Sequence, residues 1–130
     1  MVDLNNLVQS ADWKKEKHVP VIEIVGDAKK GGPIKVKVSI GKEIAHPNTT
    51  EHHISWINLY FLPEGEKFPY HIGKFDFNSH GASTQGANTS TVYTDPEITS
   101  SIKTEKSGTL IAFSYCNIHG LWKNELELKL

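Results

Sequence analysis

The plainest pattern in the chain is Ile34-Lys35-Val36-Lys37-Val38-Ser39-Ile40, where branched apolar residues alternate with polar ones at a period of two. That period puts the apolar set on one face of an extended segment, and it predicts a half-buried strand. Glu125-Leu126-Glu127-Leu128-Lys129-Leu130 alternates in the same way at the C-terminus. The stretch from His52 to Leu62 is different. Ile54, Trp56 and Tyr60 fall on one parity and Ile57, Leu59 and Phe61 on the other, which predicts a central strand covered on both faces. Val21 to Val25 and Leu110 to Cys116 read as further strands, and shorter ones are expected around Tyr70 to Phe77, Val92 to Thr94 and Glu97 to Thr104. Turn chemistry separates them, in Gly26 to Gly32, in Pro63-Glu64-Gly65-Glu66-Lys67 and in the Gly, Ser, Thr and Asn-rich loop from Ser79 to Ser90.

Helical spacing occurs only at Leu4, Leu7 and Val8, so residues 1–12 read as an arm or one short helical turn and residues 13–130 as the folded domain. The fold class expected is all-β, an immunoglobulin-like antiparallel β-sandwich of about seven strands. Loops gather at the two ends of such a sandwich, so residues far apart in sequence can meet there.

Composition narrows the class. At 130 residues and 38% hydrophobic, the chain supports one domain with a real core. A formal charge of -1 gives no footprint for nucleic acid or an anionic membrane, and neither partner is expected. The single cysteine has no partner for an internal disulfide, and no apolar run approaches a signal-peptide core or a membrane span. The expected location is a reducing cytoplasm. Asn48 and Asn88 match the N-glycosylation acceptor pattern, a match read as chance here.

The chemistry concentrates in Ser114-Tyr115-Cys116-Asn117-Ile118-His119-Gly120-Leu121-Trp122. A thiolate and an imidazole three residues apart, at a strand end and the turn after it, can reach one transition-metal ion. Taken singly, a free cysteine is ordinarily a small buried hydrophobe and a loop histidine is ordinarily solvated. Completion of a site depends on three upstream places, Glu16-Lys17-His18, His46-Pro47 and His52-His53. On residue type alone, iron, copper and zinc all remain open. A blue-copper-like electron carrier is the alternative function, although such sites usually add a methionine and the only one here is Met1. A binding module with a closed structural zinc site is the third reading.

Three segments carry a resemblance. Glu16-Lys17-His18-Val19-Pro20-Val21-Ile22-Glu23, the stretch from Gly41 to Ile54, and Ser114 to Trp122 resemble, in order, the signature segments of the one-iron superoxide reductases of neelaredoxin type, the iron-binding domain of the desulfoferrodoxin family. The resemblance runs from about Asp12 to the C-terminus. It implies one iron per subunit, held by the imidazoles of His18, His46, His52 and His119 in a plane and by the Cys116 thiolate on the axis. It also implies that Glu16 takes the sixth position in the ferric resting state and that Lys17 draws in the anion. His53 is expected to point elsewhere, and His71 and His80 keep surface or hydrogen-bonding roles. The activity implied is one-electron reduction of superoxide to hydrogen peroxide, with re-reduction by an external donor such as rubredoxin, in a homodimer or homotetramer. The four-cysteine rubredoxin-like domain of the two-iron relatives has no counterpart in this sequence.

Overall fold

Seven antiparallel strands build two facing sheets in the computed structural model, which describes residues 1–130. They are β1 (Pro20–Val25), β2 (Ile34–Ile40), β3 (Ile54–Pro63), β4 (Tyr70–Asp76), β5 (Glu97–Ile102), β6 (Gly108–Cys116) and β7 (Gly120–Leu128). One sheet has the order β1-β2-β5 and the other β4-β3-β6-β7. This is the expected sandwich.

The alternation in β2 explains the packing. Ile34, Val36 and Val38 are fully buried and face the opposite sheet, where Ile57, Leu59, Leu110 and Ala112 are equally buried. Each large aliphatic side chain taken out of water contributes roughly 1.5–3 kcal/mol. In β3 the inward set is Ile54, Ile57, Leu59 and Phe61, because a bulge between Ile54 and Trp56 shifts the parity and turns both Ile54 and Ile57 inward. Trp56 and Tyr60 are left half-buried on the outer face, with Trp56 stacked on Tyr115 at 5.7 Å between centroids.

Three boundaries differ from the sequence reading. The segment from Val92 to Thr94 is not a strand: Val92 and Tyr93 are exposed, and Tyr93 makes only an isolated bridge with His80. β3 starts at Ile54 and not His52, because side chains intercept the two preceding amides. His52 N–H donates to Thr49 Oγ1 at 3.0 Å and His53 N–H to Asn117 Oδ1 at 2.8 Å. β7 begins at Gly120, well before the clean alternation, since Leu121 pairs with Tyr115 and Trp122 with Ser114 across the ladder from β6.

The N-terminus folds back on this strand. A single turn, α1 (Leu4–Leu7), is capped by Asp3, whose carboxylate accepts from Asn5 N–H. Gln9 then forms a parallel bridge with Trp122 on β7.

Antiparallel topology decides where the loops go. The starts of β1, β3 and β7 and the ends of β2 and β6 all lie at one end of the sandwich. His18, the loop with His46 and His52, and the turn from Cys116 to His119 therefore share that end.

Candidate metal centre

Cys116 closes β6 on its inward parity and is fully buried. Gly120, at φ +80°, turns the chain into β7, and this tight reversal throws His119 back over the cysteine. Their Sγ and Nδ1 atoms are 3.7 Å apart. His18 lies immediately before β1 at 5% exposure, its carbonyl accepting from the buried hydroxyl of Ser114 at 3.3 Å.

The donor atoms of His18, His52, Cys116 and His119 all lie within 4.8 Å of one another. His119 Nδ1 stands 3.1 Å from His18 Nε2 and 3.2 Å from His52 Nε2. A single ring nitrogen carries at most one proton, so these contacts cannot all be hydrogen bonds. Neighbouring donors at right angles around one ion, each ~2.1 Å from it, would stand about 3 Å apart, which is the spacing observed.

His46 lies outside that group of four donors, but its ring completes a square. Going round, ring centroids are separated by 4.7 Å (His18 to His46), 4.7 Å (His46 to His52), 4.9 Å (His52 to His119) and 4.6 Å (His119 to His18). The diagonal from His18 to His52 is 6.1 Å. His46 Nδ1–H donates to the Pro47 carbonyl at 2.6 Å, which leaves the lone pair on Nε2, a buried atom with no protein partner. An imidazole oriented by such a bond, with its other nitrogen orphaned, has the form of a metal ligand. Gly41 makes the close approach possible: at φ +90°, a Cβ there would stand 2.6 Å from the His46 amide nitrogen.

The electrostatics suit neutral donors. Burial lowers the pKa of His18, His46 and His52, with mutual repulsion among the rings adding to it, and His46 is pushed down to about 4. The Lys17 charge works in the same direction on all three rings, so it acts across the site. Glu16 Oε1 accepts from His18 Nδ1 at 2.6 Å and from His18 N–H at 3.1 Å. Burial by itself would raise the Glu16 pKa, but these bonds from His18 outweigh it and hold the carboxylate below its usual range. Burial likewise outweighs the carboxylate at His18, so the contact is a neutral N–H donating to an anion. In this structure Glu16 orients His18.

The other histidines lie apart. His53 stacks flat on His80 at 3.5 Å, and His80 bonds Asn48 Oδ1 and the Phe77 carbonyl. His71 bonds Asn58 on the outer sheet face.

The sequence reading assigned no role to Ser114 or Asn117. Asn117 accepts from His53 N–H and donates to the Glu51 carbonyl at 2.8 Å, clipping the His52 loop to the cysteine turn. An amide side chain between Cys116 and His119 is the only signal for it, because an amide offers a donor and an acceptor at once.

The sequence pattern of the Desulfoferrodoxin family matches residues 10–125. The chain belongs to the desulfoferrodoxin family. Within this family it is 57% identical over 126 residues to the superoxide reductase of Pyrococcus furiosus, covering 97% of this chain and 99% of that protein. It is 50% identical over 125 residues to the neelaredoxin of Megalodesulfovibrio gigas, covering 96% of each. The solved structure of a superoxide reductase (neelaredoxin) from Archaeoglobus fulgidus in the reduced form superposes with a TM-score of 0.90 at 64% identity, over 95% of this chain and 99% of that one. The desulfoferrodoxin fold of this chain thus carries, at one end, a cluster whose four converging donors form a possible metal site.

Proposed function

We propose that this end of the sandwich is the mononuclear iron centre of a superoxide reductase, which the imidazoles of His18, His46, His52 and His119 and the thiolate of Cys116 would hold. The observation that carries the reading is the square itself, with its orphaned His46 Nε2 and a buried cysteine beside it. The relatives' names supply the substrate. Ferrous iron held there would supply the one electron that, with two protons from water, takes superoxide to hydrogen peroxide.

The chain's own residues do the rest. The imidazoles of His18, His46 and His52 stay neutral near pH 7 because burial and their neighbours hold their pKa values down, so no proton competes for those donor lone pairs. Cys116 is the deepest donor and His119 the most exposed, so the solvent side is the open approach. Lys17, half-buried beside His18 and felt by all three shifted rings, would attract the superoxide anion and raise the encounter rate. Glu16 would serve as a further ligand to the oxidised iron, and in this structure its carboxylate rests on His18 Nδ1.

Residues 13–130 form the iron-binding domain and residues 1–12 an arm. A rubredoxin-like protein returns the electron, the assembly is a homodimer or homotetramer, and the protein works in the cytoplasm. A blue-copper carrier is the less favoured reading: its customary methionine is missing, as Met1 lies fully exposed in the arm. A structural zinc site would be four-coordinate and tetrahedral, whereas the rings here form a square.

Metal analysis with the visible spectrum of the oxidised protein tests the assignment. One iron per chain and a thiolate-to-ferric band, bleached by reductant, are expected. Replacing Cys116 by Ser should abolish that band and impair superoxide reduction; an unaltered band would remove Cys116 from the site.

A further inference from the structure

The imidazole plane of His18 has one flat neighbour. Trp122, 7% exposed on β7, stacks on that ring with centroids 5.0 Å apart and planes 15° from parallel, while His46 and His119 meet the same ring edge-on. The same indole donates Nε1–H to the carbonyl of His119 at 3.2 Å. One side chain therefore touches two of the four imidazole residues, by a face and by a hydrogen bond.

A histidine's terminal torsion is broad, so the backbone does not fix the ring plane. The nitrogen lone pair lies in that plane, and whatever fixes the plane aims the donor. For His18, the Glu16 bond to Nδ1 holds one edge and leaves rotation about that edge open. The indole face closes it. At His119, the bond to the carbonyl holds the turn that carries the ring over Cys116.

Trp122 is in turn gripped by the N-terminal arm. Gln9 N–H donates to the Leu121 carbonyl at 3.0 Å, and Lys123 N–H donates to the Gln9 carbonyl at 2.8 Å, so the arm bonds the residues on both sides of the tryptophan. Three residues later Asp12 starts the turn that leads to Glu16, accepting from Lys15 and Glu16 N–H through its carbonyl and from Lys14 N–H through its carboxylate. The arm is thus fastened to β7 beside Trp122 before it delivers Glu16, Lys17 and His18.

We propose that Trp122 is a positioning residue of the metal centre, setting the plane of His18 and the turn of His119, and that the arm holds it in place through Gln9. The role rests on the metal reading above, and a metal other than iron tests it without recourse to enzymatic activity. Metal-free full-length protein is titrated with cobalt(II), following the thiolate-to-cobalt band and the ligand-field bands. Trp122→Leu should bind about 10-fold more weakly and shift or broaden the thiolate band. Trp122→Phe, which restores an aromatic face without the N–H, should recover most of that loss. Gln9→Pro, which removes the amide donating to Leu121, should perturb the bands in the same direction by a smaller amount.

A tryptophan that merely fills space would lower the unfolding midpoint and leave the bands of the loaded protein unchanged; that result in Trp122→Leu overturns the proposal. Should Trp122→Leu fail to fold, wild-type bands and affinity in Gln9→Pro overturn it. A wild-type chain that takes up cobalt without any thiolate band removes the metal reading itself, an outcome distinct from intact wild-type bands with unaffected variants.

Discussion

At the scale of single residues, the centre depends on groups that bind nothing themselves. Gly41 is the sharpest case, since its left-handed φ and the 2.6 Å from a notional Cβ to the His46 nitrogen both forbid a side chain. Gly41→Ala should cost about 1–2 kcal/mol of stability for the backbone alone and more for the clash, in urea unfolding. It should also weaken metal binding by displacing His46, while a variant with native affinity would show that the loop adjusts. The role proposed for Lys17 is one of charge. Lys17→Glu should slow the reaction with superoxide and invert its dependence on salt, because a screened attraction becomes a screened repulsion. Pulse-radiolysis rates at several ionic strengths read this directly, and an unchanged rate at low salt would remove steering.

At the scale of elements, the two sheets act as a rigid mount. β3 and β6 are the inner strands of the four-stranded sheet and supply most of the fully buried residues facing β2. Leu59, at 0% exposure in β3, is distant in its ladder from the Cys116 end, being paired with Ala112. Leu59→Ala should lower stability by about 2–5 kcal/mol in denaturant unfolding. The folded fraction should keep its metal spectrum, because the core and the site draw on different ends of the same strands; an altered spectrum would mean that β3 transmits strain to its N-terminal end. The loops are held less by core than by polar clips, with Asn117, Thr49 and Asn88 tying the segment from Thr49 to His53 to its surroundings.

At the scale of the whole molecule, antiparallel closure collects neutral histidines at one end, and this makes the metal-free protein sensitive to acid. Burial is the leading cause of the lowered pKa values of His18, His46, His52 and His80. An imidazole with a depressed folded-state pKa stays unprotonated while the unfolded chain already takes up its proton. Its contribution is therefore complete above the unfolded value of 6.5 and is lost as pH falls towards the folded value, about 4 for His46. Thermal unfolding of metal-free protein should show a midpoint that declines steadily from pH 6.5 to 4, and a flat profile would contradict the buried, neutral cluster. Bound metal should raise the midpoint across this range, since it binds the native donors and not the dispersed ones.

Strand alternation in β2 and the apolar load of β3 determined the sandwich, because a period of two leaves an extended segment only one way to bury its branched residues. The motif segments with His18, His46, His52, Cys116 and His119 were legible for the same local reason: each is a short run of side chains next to a strand end. Only the tertiary structure decided that Glu16 rests on His18 Nδ1, that Asn117 and Ser114 hold the segments carrying His52 and His18, and that the arm closes on β7 beside Trp122. Apart from Glu16 with its near neighbour His18, these contacts join residues far apart along the chain, 64 positions for His53 with Asn117 and 96 for His18 with Ser114. Local pattern carries no information about which surface a polar side chain will meet once the sheets have closed.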